Sequence, residues 1–81
     1  MSVEQRVIAI MESATQSEPG TVRLDTALAQ MDGWDSMGVV DFLGTMYDQL
    51  GVVMTVDELQ TFATVRDTVA AVTRKVGTRP A

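Results

Sequence analysis

One serine hydroxyl is the group in this chain best placed to take part in chemistry. Ser36 lies in the run Asp-Gly-Trp-Asp-Ser-Met-Gly at residues 32–38, where an irregular stretch gives way to a strongly amphipathic one. The sequence contains no histidine and no cysteine, so it lacks the commonest general base and any thiol. A serine without an evident base is a weak candidate for catalysis. Any reactive sulfur would have to arrive on a cofactor.

The residues around Ser36 predict the start of a helix. Asp35 is a suitable N-cap, and Gly33 gives the chain freedom to turn. The following apolar residues predict a helix from residue 35 or 36 to residue 50, with Gly51 at its C-cap. Its inward stripe consists of Val39, Phe42, Leu43, Met46 and Leu50. An anion at this helix start would meet unpaired N–H groups and the positive end of the dipole.

Three further helices are predicted from caps and periodicity. Ser2 and Gln5 form a capping box that opens a helix over about residues 3–15, which the Glu-Pro-Gly run at 18–20 ends. Thr55 and Glu58 form a second box and open a short helix. A last helix begins with the capping run at 64–67. Its apolar positions are Val65, Val69, Val72 and Val76.

A long connection, residues 17–35, separates the first two helices. We expect Val22, Leu24, Leu28 and Met31 to fold it back onto the core, and Asp25 or Thr26 to cap a short turn. Residues 52–56 could form a strand from propensity alone, but no partner strand exists. The prediction is an all-α four-helix bundle with a long first loop and a short third helix. One domain would cover residues 1–81, with 77–81 as a flexible tail.

These features resemble the attachment site and second helix of acyl and peptidyl carrier proteins. The resemblance rests on Gly-Trp-Asp-Ser-Met at 33–37, the apolar stripe, the long loop, the short helix after Gly51 and Phe-Ala-Thr-Val at 62–65. It covers nearly the whole chain and implies the carrier-protein fold. It also implies that Ser36 bears a 4′-phosphopantetheine arm, whose thiol carries an acyl or aminoacyl group between enzymes. The carrier itself would not be an enzyme.

The resemblance also implies a surface for partner enzymes around Ser36. Asp35 and Met37 flank the attachment point, and Met37 either contacts partners or packs half-buried at the helix start. The residues implied to meet partners are Val40, Asp41, Leu43, Asp48, Asp57 and Glu58. The implied partners are a phosphopantetheinyl transferase, an enzyme that loads the acyl or aminoacyl group, and downstream biosynthetic enzymes. We expect a monomer.

The second helix carries fewer carboxylates than carriers of bacterial fatty acid synthesis. Gly38 and Gly44 stand where those carriers tend to place acidic residues. These two glycines either permit close approach of a partner or of the arm, or are simply tolerated. The departure favours a discrete carrier in a polyketide, nonribosomal peptide or related specialised pathway. The run Asp-Ser-Met-Gly at 35–38 is also similar to that of D-alanyl carrier proteins, so the cargo stays open.

Composition and charge narrow the classes of partner. The 81 residues are 46% hydrophobic, which suits one small folded domain. No run is long enough to span a membrane and the N-terminus does not resemble a signal peptide, so we expect a cytoplasmic protein.

The net charge is −5, with ten acidic and two basic residues before position 64. This excess of acidic residues argues against binding to nucleic acid and favours basic protein partners. No EF-hand spacing or other metal site is present.

A rival interpretation comes from a different class of protein. In a helical interaction module without a prosthetic group, Met37, Val40 and Tyr47 would enter a partner's groove, and the Asp-Ser pair would only cap a helix. Modification by a transferase separates the two interpretations.

Overall fold

The chain folds into helices that surround one apolar core. The structure is a computed structural model and describes residues 2–77. Within that range the elements are α1 (Val3–Ala14), a 3₁₀ turn (Leu28–Gln30), α2 (Ser36–Leu50), α3 (Val56–Gln60) and α4 (Val65–Gly77). The predicted all-α fold is confirmed, and α1 packs against both α2 and α4. Gly77 belongs to α4 rather than to the predicted tail, and residues 78–81 lie outside the described part.

The predicted helix caps are present. The Ser2 hydroxyl accepts from the Gln5 N–H at 3.2 Å, and the Gln5 side chain accepts from the Ser2 N–H at 3.1 Å. Thr55 and Glu58 form the same reciprocal pair, at 3.1 and 3.2 Å, at the start of α3. Gly51 ends α2 in the left-handed region with φ of 64°. Local sequence therefore sets these helix boundaries.

The predicted end of α1, at about residue 15, is confirmed to within one residue, but its cause and the predicted cap of the short turn differ in the structure. The helix α1 ends at Ala14 because Gln16 takes a positive φ of 57° and the Ser17 N–H donates to the Glu12 carbonyl at 2.8 Å. The run at 18–20 therefore follows the helix end without causing it. Neither Asp25 nor Thr26 caps the 3₁₀ turn, whose N-cap Ala27 has no side-chain bond. The Thr26 hydroxyl instead accepts from the Arg23 N–H at 3.0 Å.

The core is built from all the helices and from the connection. The fully buried side chains are Phe42, Met11, Met46, Val7, Val65, Val72 and Thr68. The expected anchors of the connection are confirmed, since Val22 and Leu28 are buried and Leu24 and Met31 pack half-buried against the core. The long loop is thus a packed part of the domain.

Backbone hydrogen bonds tie the connection to the start of α4. The bonds run from Leu28 to Ala63, from Val65 to Thr26 and from Arg66 to Leu24, each 3.0 Å from nitrogen to oxygen. The Arg66 guanidinium also lies 3.0 Å from the Asp25 carboxylate. This pairing holds the 3₁₀ turn beside the segment that joins α3 to α4.

The carboxylate of Asp67 accepts hydrogen bonds from the N–H groups of the two residues that precede α4. It accepts from Ala63 at 2.9 Å and from Thr64 at 3.2 Å. These hydrogen bonds, the one from Ala63 first, lower the pKa of Asp67 because they favour the charged carboxylate. Asp67 thus completes the predicted cap of this helix.

Candidate functional site: the start of helix α2

Ser36 is the first residue of α2, and its side chain is exposed. Asp35 is the N-cap as predicted, and its carboxylate accepts from the Gly38 N–H at 3.0 Å. The Asp35 carbonyl accepts the first helical bond, from Val39, at 2.8 Å. The N–H groups of Ser36 and Met37 have no acceptor within the helix by geometry. An anion joined to Ser36 would therefore meet donors and the positive end of the dipole.

Two glycines fix the backbone on either side of Ser36. Gly33 has a φ of 82°, and a Cβ there would approach the Thr15 carbonyl oxygen to 2.7 Å. Gly38 is buried, and a Cβ there would collide with the carbonyl oxygen of Gly33. The end of α1, the end of the connection and the start of α2 thus pack backbone against backbone. Gly38 therefore has a structural role within the domain, so it is not merely tolerated.

An apolar groove opens on one side of Ser36, with a volume of about 510 Å³. It lies between the 3₁₀ turn, the start of α2 and α3. Its lining residues are Leu28, Ala29, Trp34, Asp35, Ser36, Val39, Val40, Val56, Leu59, Gln60 and Phe62. Trp34 is half-buried there and meets the core residue Phe42 edge to face, with ring centroids 5.4 Å apart. A flexible chain attached at Ser36 could lie in this groove.

A second hollow of about 680 Å³ opens on the other side of Ser36. It lies between the end of α1 and the first turns of α2. Its lining residues are Ala14, Thr15, Gln16, Gly33, Asp35, Ser36, Met37, Gly38, Val40 and Asp41. Asp35, Ser36 and Val40 belong to both depressions. The serine hydroxyl consequently stands on a ridge that an enzyme can reach from outside.

The exposed face of α2 combines apolar and acidic side chains. Met37, Val40 and Tyr47 are 83%, 64% and 61% exposed. The half-buried alternative for Met37 is therefore not the arrangement in the structure. Asp41 and Asp48 are exposed on the same helix. The helix contains no lysine or arginine.

Three residues predicted to meet partners lie apart from this face. Leu43 is half-buried and packs against the core, consistent with its place in the inward stripe. Asp57 is exposed on α3. Glu58 lies 3.0 Å from the Lys75 ammonium of α4. That hydrogen bond, assisted by the Thr55 N–H, lowers the pKa of Glu58. The sequence suggested no Glu58–Lys75 pair, because its members are distant along the chain.

The arrangement presents an accessible hydroxyl without groups that would activate it. The sequence has no histidine or cysteine, and residues 2–77 contain no cluster of three potential metal ligands. Within the same range, no helix is long and apolar enough to cross a bilayer.

Comparison with known proteins agrees with this geometry. A family model described as "Phosphopantetheine attachment site" matches residues 5–72, which is most of the chain. The search of curated proteins finds no match. The residues present fit the prosthetic group, because an exposed serine stands at a helix N-terminus beside an apolar groove. Domains of this family carry 4′-phosphopantetheine and act as carriers rather than enzymes. The chain belongs to the phosphopantetheine-attachment family of carrier protein domains.

Proposed function

We propose that the protein is a discrete acyl or aminoacyl carrier protein whose prosthetic arm is attached at Ser36. The observation that carries this assignment is the position of Ser36. It is exposed, it opens α2, and it borders two depressions. The serines at 2, 13 and 17 do not open α2 or line the apolar groove.

Attachment requires a transferase and coenzyme A. The Ser36 oxygen would attack the phosphorus that bears the pantetheine arm and form a new P–O bond. The bond to adenosine 3′,5′-bisphosphate would break, and a base of the transferase would accept the hydroxyl proton. This chain contributes the accessible oxygen, and its Asp35 cap and backbone contacts hold that oxygen at the helix start. The N–H groups of the first turn favour the resulting phosphodiester anion.

The attached arm supplies a thiol that holds acyl or aminoacyl groups as thioesters. Side chains of this domain would position the arm and shield part of it. Ser36 borders the apolar groove, whose apolar lining includes Val40, Val56, Leu59 and Phe62. Its lining suits the methylene groups of an arm or of an apolar cargo.

The partner enzymes would dock on the surface around Ser36. Met37 and Val40 offer exposed apolar contacts, and Asp41 and Asp48 offer negative charge. Asp57 extends the acidic surface onto α3. Glu58 contributes to that surface while paired with Lys75. Leu43 contributes indirectly, because it packs α2 against the core. Small, partly polar contacts of this kind suit brief encounters with successive enzymes.

The pathway we propose is a specialised one, of the polyketide, nonribosomal peptide or a related type. The sparse acidity of α2 supports this, since Gly44 is an exposed position with room for a carboxylate that the sequence does not place there. A separate activating enzyme would load the arm, and downstream enzymes would use the cargo. We propose that the carrier works as a monomer in the cytoplasm, where coenzyme A is at hand.

The decisive experiment is intact mass spectrometry after incubation with coenzyme A and a broad-specificity phosphopantetheinyl transferase. We expect the wild type to gain one phosphopantetheine and Ser36→Ala to gain none while keeping the wild-type circular dichroism spectrum. Ser13→Ala is the matched control, since Ser13 is exposed on α1, and it should be modified normally. Modification of Ser36→Ala would refute the assignment of the residue. An unmodified wild type would refute the carrier function and favour the interaction module.

A further inference from the structure

The second hollow beside Ser36 differs in chemistry from the apolar groove. Both border the serine, but the groove is lined largely by aliphatic and aromatic side chains. The second hollow, of about 680 Å³, combines Gln16 and Asp41 with the exposed apolar side chains of Met37 and Val40. It therefore suits a chain that carries hydrogen-bonding groups as well as methyl and methylene groups.

Main-chain atoms line part of the second hollow, because two of its residues are glycines. A Cβ on Gly38 would collide with the Gly33 carbonyl oxygen and would lie 3.5 Å from the carbonyl oxygen of Ala14. Ala14 is the last residue of α1, so its carbonyl has no N–H partner farther along the helix. This oxygen accepts no hydrogen bond from any other residue between 2 and 77. The end of α1 thus contributes an unpaired acceptor beside Gly38.

Gln16 adopts a backbone conformation that favours glycine. Its φ is 57°, in the left-handed region, where a Cβ is unfavourable. The turn that ends α1 requires this conformation but not this side chain. Gln16 is exposed, and its side-chain amide makes no hydrogen bond to the part of the chain that the structure describes. Nothing within that part accounts for a glutamine rather than a glycine at this position.

Resting on the proposed function, we propose that the second hollow holds the phosphopantetheine arm of the unloaded carrier and that Gln16 binds the arm. The arm carries amide groups and a hydroxyl, and burying them in the apolar groove without hydrogen-bond partners would be unfavourable. In the second hollow, the Gln16 amide donates to an arm carbonyl and accepts from an arm N–H. The Ala14 carbonyl accepts from a second arm donor, and Met37 and Val40 contact the methyl groups of the arm.

NMR of the modified protein tests this placement, because each depression is lined by one glutamine. Gln16 lines the second hollow, Gln60 lines the groove, and both are exposed. Protein labelled with ¹³C and ¹⁵N is modified with unlabelled coenzyme A, and NOEs between arm and protein are recorded with isotope filters. We expect arm NOEs to the Gln16 side-chain amide and to the Met37 methyl group, and none to Gln60. NOEs to Gln60 as strong as those to Gln16, or no NOE to Gln16, would overturn the proposal.

Substitution of the two glutamines separates arm binding from folding. Gln16→Gly removes the side chain and relieves the positive φ, so the unmodified variant should unfold at higher urea concentration than the wild type. Its arm NOEs to Met37 should nevertheless weaken about threefold, as expected for the loss of one hydrogen bond. Gln60→Ala is the matched control and should keep them. Unchanged NOEs in Gln16→Gly would refute the role of Gln16 while the carrier function stands. A wild type that gains no arm would refute the carrier function itself.

Discussion

Glu12 holds the first part of the long connection against the end of α1. Its residue is only 8% exposed, and one carboxylate oxygen accepts from the N–H groups of Gly20 and Val22, at 2.8 and 3.1 Å. Val22 is one of the core anchors of the connection. Glu12 therefore links the helix that precedes the loop to the loop residue that enters the core.

Loss of this carboxylate should destabilise the domain. We expect Glu12→Ala to lower the free energy of unfolding by about 1–3 kcal/mol, since two backbone N–H groups lose their acceptor in a partly buried place. Glu12→Gln keeps one acceptor oxygen and should lose less. Glu18→Ala, at an exposed position nearby, is the control and should match the wild type. The measurement is urea unfolding, and an unchanged midpoint for Glu12→Ala would contradict this account.

Residues whose partners are close in sequence could be predicted from the sequence. The pairs Ser2–Gln5 and Thr55–Glu58 and the Asp35 cap each span three residues, so the order of residue types reveals them. Glu12 reaches residues eight and ten positions later in an irregular segment, where no periodic pattern exists. Thr68 is another such case, because its buried hydroxyl has no hydrogen-bond partner and its burial depends on how α4 packs.

At the scale of elements, the attachment site depends on how α1, the connection and α2 meet. Gly33 packs against the Thr15 backbone, and Gly38 packs against Gly33. Ser36 lies between these two contacts, so they determine where its hydroxyl stands. The position of the serine is set by backbone packing as well as by the Asp35 cap.

A methyl group at residue 38 should disturb that junction. We expect Gly38→Ala to lower the free energy of unfolding by roughly 1–3 kcal/mol, because the Gly33 carbonyl must move to admit a Cβ. Modification of Ser36 should also slow. Gly44→Ala adds the same methyl to the same helix without an internal clash and should not destabilise it. Urea unfolding of the two variants checks the contrast, and equal or higher stability of Gly38→Ala would overturn this interpretation.

The sequence was informative about elements that have strong caps and periodic apolar residues. The ends of α2 and the short α3 followed from Asp35, Gly51 and Thr55. The end of α1 followed to within one residue, but the turn that makes it did not, because Gln16 adopts a positive φ that its residue type does not favour. The pairing of the connection with residues 63–66 was also missed, since single backbone bonds between irregular segments leave no pattern in the side chains.

At the scale of the whole molecule, charge is distributed unevenly. The acidic residues concentrate before residue 64, and the face around Ser36 includes Asp35, Asp41 and Asp48. In α4, Lys75 pairs with Glu58 and Arg66 pairs with Asp25. The surface beside the attachment site thus presents negative charge without a lysine or arginine on α2. Such a field can steer a basic partner toward the serine.

Charge reversal on α2 tests whether the carboxylates of this helix attract the transferase. We expect Asp41→Lys combined with Asp48→Lys to reduce kcat/KM for modification about tenfold at low salt, because approach of a basic transferase is no longer favoured. The deficit should shrink as salt rises, since the Debye length falls from about 30 Å at 0.01 M to about 3 Å at 1 M.

The control is a double variant that changes the net charge by the same amount at positions away from α2. Glu4 and Glu18 are exposed on α1 and on the connection, outside both depressions that border Ser36. Glu4→Lys with Glu18→Lys should slow modification much less than the pair on α2. Equal losses in the two double variants would mean that net charge, rather than the α2 face, governs the encounter. Unchanged kinetics of the α2 pair at low salt would show that the transferase docks without using Asp41 and Asp48.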